Sequence, residues 1–310
     1  MNTKKAYHYL TSMRCIMFCL IVFSVVSCNS EVKKRNFKNG YAEVNGTTLY
    51  YEIVGEGDPI VLVHGNFGDR RHWDYQFTPL SKNHKIIRYD IRGYGKSAMP
   101  KSDEAYADNE DLKSLLRFLK VEKAHICGVS AGSSIAIDFA LEYPDLCNSL
   151  ISIAPWVGGY GFGEYKTPNS DSLFAIFSMV FKTVKNKGTR AATDYWWTGN
   201  HSVKNTVKSP AILDSLLEMG YEYSYWAFLN ENKKQHLSPP AIQRLNEIKI
   251  PTLIVTAEYD IDACKEVADI LKKNIANSTK ISINDAGHLM NMEKSDEFNR
   301  LILEFINQVQ

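Results

Sequence analysis

Short apolar runs alternate with stretches of helical spacing along most of this chain. Tyr41–Val44 and Thr48–Val54 alternate apolar and polar positions around Asn45-Gly46, which predicts a hairpin with a tight turn. Ile60–Val63 is unbroken apolar, as expected of a strand covered on both faces, and it stops at His64-Gly65-Asn66-Phe67-Gly68. The pattern then predicts a helix over 70–80, a strand over 85–90 and a helix over 109–120 built on Leu112, Leu115, Leu116 and Leu119. A strand over 124–129 follows, then a helix carrying Ile135, Ala136, Phe139 and Ala140, then a strand over 150–154. After Pro155 the alternation stops. It resumes with a strand over 252–257, a helix over 263–273, a strand over 279–283 and a last helix with Phe298, Leu301, Ile302 and Phe305 at helical spacing.

Such β/α text predicts an α/β fold, a mostly parallel central sheet with helices on both faces. The break predicts a helical insertion over 156–240, with the core formed by 41–155 and 241–310. The insertion is rich in aromatics, among them Phe162, Phe174, Phe177, Phe181, Trp196, Trp197, Tyr221, Tyr223, Tyr225, Trp226 and Phe228. Most are expected to pack on one another and only a few to line a pocket, which favours a small apolar or aromatic substrate.

The first residues read differently. Lys4, Lys5 and Arg14 precede an apolar run, Cys15–Val26, that is short for a bilayer span and has the look of a secretory signal. It ends Val25-Val26-Ser27-Cys28, which resembles the lipobox of bacterial lipoproteins. The resemblance implies cleavage after residue 27, lipidation of Cys28, a polar tether over 28–40, and a protein exported to the cell envelope and anchored to a membrane. The other reading is an ordinary cleaved signal and a periplasmic or secreted protein.

Composition narrows the chemistry. A net charge of +1 with no long basic block argues against nucleic acid as a partner. Cys127, Cys147 and Cys264 would remain after processing and lipidation, an odd number at unrelated spacings. They form neither a disulfide framework nor a zinc pattern, so no metal or other cofactor is expected. Cys127, at the end of an apolar run, reads as a small buried hydrophobe.

The strand over 124–129 runs into Gly128-Val129-Ser130-Ala131-Gly132 and at once into a helix. Gly-x-Ser-x-Gly alone is weak, since a chain of this length carries one by chance about one time in ten. Its setting is stronger. A serine between a strand end and a helix start is pushed outward on a sharp turn, beside the unpaired N–H groups of the helix. In open parallel sheets ligands gather beyond the carboxyl ends of the strands. At those ends also stand His64-Gly65-Asn66, the acidic run Glu258-Tyr259-Asp260-Ile261-Asp262, and Asn284-Asp285-Ala286-Gly287-His288. A serine needs a base, and the base needs a carboxylate to fix its tautomer. The candidates are Ser130, His288 and Asp260, with Asp262 the runner-up.

On His64-Gly65, Asp90-x-Arg92-Gly93-x-Gly95-x-Ser97, Gly128-x-Ser130-x-Gly132, Glu258-x-Asp260 and Gly287-His288, residues 41–310 resemble the α/β-hydrolase fold family. The resemblance implies a serine hydrolase of the carboxylesterase kind, with Ser130 as nucleophile, Asp260 as orienting acid and His288 as base. It implies oxyanion donors at the amides of Ala131 and Asn66, with Phe67 as the alternative to Asn66. It also implies a structural His64, a turn-bracing Asp90–Ser97 motif, and Asp285 as a brace of the histidine loop. Epoxide hydrolases and haloalkane dehalogenases of the family carry aspartate at the elbow, unlike this chain. Acyltransferases, carbon–carbon bond hydrolases and cofactor-free haloperoxidases share the triad and stay open, as does a non-catalytic binder on the same fold.

Overall fold

The computed structural model describes residues 36–101, 105–199, 201–230 and 233–309. The apolar run Cys15–Val26 and Cys28 lie outside them. Among the described residues no helix is long and apolar enough to cross a membrane.

Eight strands form one sheet: β1 (Lys38–Val44), β2 (Thr47–Val54), β3 (Pro59–Val63), β4 (Lys85–Tyr89), β5 (Ala124–Val129), β6 (Cys147–Ile153), β7 (Thr252–Ala257) and β8 (Ser278–Ile283). Their order is β1-β2-β4-β3-β5-β6-β7-β8. β2 runs antiparallel to both its neighbours, and every other pairing is parallel. The hairpin turn has Asn45 at φ 48° and Gly46 at φ 72°, the two left-handed residues that a twist-matched tight turn requires. β5 and β7 are buried at every position, as central strands covered on both faces must be, whereas β8 at the edge exposes part of its length.

Three helices lie before β6: α1 (Asp74–Leu80), α2 (Asp108–Phe118) and α3 (Ala131–Glu142). The helix read over 70–80 begins as a tight single turn, Arg70–Trp73, because Asp69 accepts from the Arg71 amide at 2.8 Å and its carbonyl takes the His72 amide. Between β6 and β7 the chain leaves the sheet and forms α4 (Pro168–Thr198), α5 (Pro210–Glu222) and α6 (Trp226–Leu229). α4 opens with a capping box, Thr167 and Ser170, ahead of Pro168 in its first turn. It is broken at Gly188, whose φ of 86° no helix contains. After β7 come α7 (Asp262–Asn274), α8 (Met290–Glu293) and α9 (Ser295–Val309).

A charged network underlies the hairpin. Glu52 accepts from Arg70 and Arg88, each at 2.8 Å, and Asp90 accepts from the Arg70 amide at 2.9 Å and the Lys96 amide at 2.8 Å. Ser97 donates to the Asp90 carbonyl and accepts from the Tyr50 amide. Gly95, at φ 50°, lies so close that a Cβ there would sit 2.3 Å from the Asp90 carboxylate. The Asp90–Ser97 motif therefore closes the turn after β4 around one buried carboxylate.

Candidate active site

β5 delivers Ser130 to the edge of a cavity, and the turn there is strained: Ser130 adopts φ 55° and ψ −120°. Its amide is held by the Ile153 carbonyl at 2.9 Å, which ties the turn to the neighbouring strand. Such a conformation persists only if strand and helix pass close together. A Cβ on Gly128 would lie 2.1 Å from the Gly132 carbonyl oxygen, and one on Gly132 would lie 2.3 Å from that of Val63. Ala131 opens α3, where the first amides have no partner within the helix.

β8 and the loop after it deliver His288, whose amide is anchored on the Thr206 carbonyl at 2.6 Å. Its Nε2 lies 3.0 Å from Ser130 Oγ, and its Nδ1 lies 2.6 Å from Asp260 Oδ1. Asp260 follows β7 and is buried with His288. It also accepts from the Ile261 amide at 2.7 Å and from Thr256 Oγ1 at 3.3 Å. These bonds fix the tautomer: Nδ1 carries the proton toward the carboxylate, and Nε2 faces the serine hydroxyl as acceptor. Asp262 is elsewhere. Its side chain is 65% exposed and pairs with Lys265 one turn along α7. Asp285 is at the surface too, paired with Lys294 at 2.8 Å, which holds its carboxyl below the usual range.

The loop after β3 closes the other side. Gly65 packs against Ser130, since a Cβ there would lie 3.1 Å from the serine Cβ. Asn66 lines the cavity and accepts through Oδ1 from Tyr94 Oη at 2.7 Å. Phe67, at φ 60°, also lines it and points into the insertion. His64 takes no part in the Ser130–His288–Asp260 hydrogen-bond chain: it is buried, its Nε2 accepts from the Ile91 amide at 3.0 Å and its Nδ1 donates to the Gly65 carbonyl. Burial pushes its pKa down, with the Asp90 carboxylate opposing.

His72 lines the same cavity, and sequence reasoning did not single it out. Its Nδ1 accepts from the Gly65 amide at 3.2 Å, and burial, reinforced by the His64 ring, pushes its pKa down to about 3. It is a neutral brace for the loop. No spacing signal marks it, because its partner is a backbone amide brought near by the fold.

Asp260, Cys264 and His288 place donor atoms within 4.8 Å of one another. The set fits a metal poorly. The proton on His288 Nδ1 occupies the position facing Asp260, and burial pushes the Cys264 thiol well above its ordinary value, so it stays protonated.

The cavity measures about 570 Å³, within the range of small-molecule sites. Phe162, Phe174, Phe177, Trp196, Trp197 and Phe228 of the insertion all line it, more than the few expected. The rings do both things at once: Trp196 stacks on Phe177 at 5.3 Å while both border the cavity.

A strained serine after a central parallel strand, in register with a buried histidine and carboxylate, defines the hydrolase class of α/β folds. The model of the alpha/beta hydrolase fold matches residues 58–295, and the chain belongs to that family. Among its relatives, a putative carbamate hydrolase, RutD, of Azorhizobium caulinodans is 25% identical over 87% of this chain and 98% of its own length. A 2-hydroxy-6-oxo-6-phenylhexa-2,4-dienoate hydrolase of Comamonas testosteroni is 22% identical over 84% of this chain and 91% of its own length. The crystal structure of the enol-lactonase from Burkholderia xenovorans LB400 superimposes with a TM-score of 0.70 at 22% identity, covering 86% of this chain and 100% of that one. These relatives are hydrolases of small molecules, which supports hydrolase activity for this chain.

Proposed function

We propose that the protein is a serine hydrolase that cleaves a carboxylic ester or related acyl bond through an acyl-enzyme on Ser130. The observation that carries this reading is the chain Ser130 Oγ–His288 Nε2 at 3.0 Å and His288 Nδ1–Asp260 Oδ1 at 2.6 Å. Ser130 Oγ bonds to the acyl carbon as its proton passes to His288 Nε2, and Asp260 stabilises the resulting imidazolium. The amides of Ala131 and Asn66 receive the oxyanion. The tetrahedral adduct collapses, and His288 gives its proton to the leaving alcohol. Water, deprotonated by His288, then attacks the acyl-enzyme and releases the carboxylic acid and free Ser130. The aromatic lining favours an apolar or aromatic acyl group.

A fluorophosphonate probe tests the nucleophile. Wild type should label, and Ser130→Ala should lose both the label and, by about 10³-fold or more, turnover of a p-nitrophenyl ester. Labelling at another residue, or undiminished turnover, would overturn the assignment. Cys28, outside the described residues, is proposed as a lipidated residue that anchors the exported chain to a membrane. Cys28→Ala should then move the protein from the membrane fraction to the soluble one, and an unchanged membrane pellet counts against the anchor.

A further inference from the structure

The cavity at Ser130 has a polar end that the triad does not use. Ser134 and Asp138 stand on α3 one and two turns beyond Ser130, and both line the cavity. Asp108, Lys234 and His236 line it as well. Lys234 Nζ pairs with Asp108 Oδ2 at 3.2 Å, with both side chains largely buried, so those two charges offset each other. Asp138 forms no such ion pair among the described residues, although His236 is near enough to act on its charge. As a residue Asp138 is half-buried; its Oδ1 is fully buried with no hydrogen-bond partner among the described residues, which leaves Oδ2 as the oxygen that can face the cavity.

Two features show that Asp138 is not there for packing. It interrupts the apolar stretch Ile135–Ala140, whose other residues are all buried. Burial pushes its carboxyl up to about 7, with His236 opposing; Asp108, Glu142 and Arg244 are the other charges acting on it. The fold thus holds a carboxylate at the cavity wall that accepts no hydrogen bond from the described residues, so a donor in the cavity would supply one. A carboxylate at the cavity wall, when ionised, repels an anion and favours a cationic N–H donor.

We propose that Asp138 binds a protonated amine on the substrate, about 12 Å along α3 from Ser130. The substrate class is an amphipathic acyl compound, with its scissile carbonyl at Ser130, an apolar middle against Ile135 and the aromatic wall, and an ammonium group at Asp138. That the bound amine is a substrate rests on the reading of Ser130 as nucleophile. That an amine binds does not.

Calorimetric titration of the full-length protein with octylammonium, octanol and octanoate separates the two. At about pH 8, above the Asp138 value of about 7, wild type should bind octylammonium about tenfold or more tighter than octanol, and octanoate weakest. Asp138→Asn, of the same shape, should bring octylammonium and octanol to parity. Octanol or octanoate binding as tightly as octylammonium overturns the proposal, as does an ammonium preference that survives Asp138→Asn. If that variant fails to fold, the order of the three ligands on wild type decides. Ser130→Ala should keep the preference, and a wild type that binds octylammonium but takes no fluorophosphonate label and turns over no ester would remove the hydrolase reading alone.

Discussion

The turn at Ser130 and the insertion between β6 and β7 are built on different principles. The turn is a local object. Gly128 and Gly132 leave no space for a side chain, Ser130 is held at a positive φ, and the restraints come from backbone atoms of β3, α3 and β6. The insertion is held by rings. Phe67 from the core packs against Trp196 at 4.7 Å, Tyr225 at 5.4 Å and Phe228 at 5.5 Å, and Tyr94 stacks on Tyr223 at 4.6 Å. Backbone packing tolerates no change in shape, whereas ring packing tolerates exchange of similar volumes.

Substitutions sharpen that contrast. Asp260→Asn should have the largest effect, lowering kcat by about 10⁴-fold with the fold retained, because an amide no longer fixes the His288 tautomer. Esterase kinetics alongside circular dichroism would check it, and a kcat within tenfold of wild type would remove Asp260 from the mechanism. Trp196→Ala should come next. Trp196 is buried between Phe67 and Phe177, so its loss should destabilise by about 3–5 kcal/mol in urea unfolding and raise KM more than it lowers kcat. A kcat loss with KM unchanged would mean that the insertion contributes to chemistry. Asp262→Asn should do least. Its carboxylate faces solvent, so activity should stay within about twofold, and stability should shift by no more than about 0.5 kcal/mol.

The core was legible because its elements follow local periodicity. β3 is a continuous apolar run and β5 and β7 are mostly apolar, and the glycines of the elbow and the Asn45-Gly46 turn carry direct steric meaning. The choice between Asp260 and Asp262 was legible only as an order of preference, since two residues of spacing do not say which carboxylate turns inward at the start of α7. The break in α4 falls at Gly188, inside the polar run Lys185–Arg190, and was not read from it. His72 escaped because its partner is a backbone amide, which carries no residue signature, and Asp138 because its place on the cavity wall is supplied by the fold and not by any spacing.

The seat of His288 has a consequence for anyone who would exchange parts between relatives. Its amide hangs on the Thr206 carbonyl, and Gly287 lies so near that a Cβ there would come within 1.8 Å of the same oxygen. Thr206 belongs to the inserted stretch, not to the sheet. A chimera that swaps the whole inserted stretch to change what the cavity accepts would also discard the strut under His288, the proposed general base. A graft that keeps residues 201–206 from this chain and replaces the remainder retains that support.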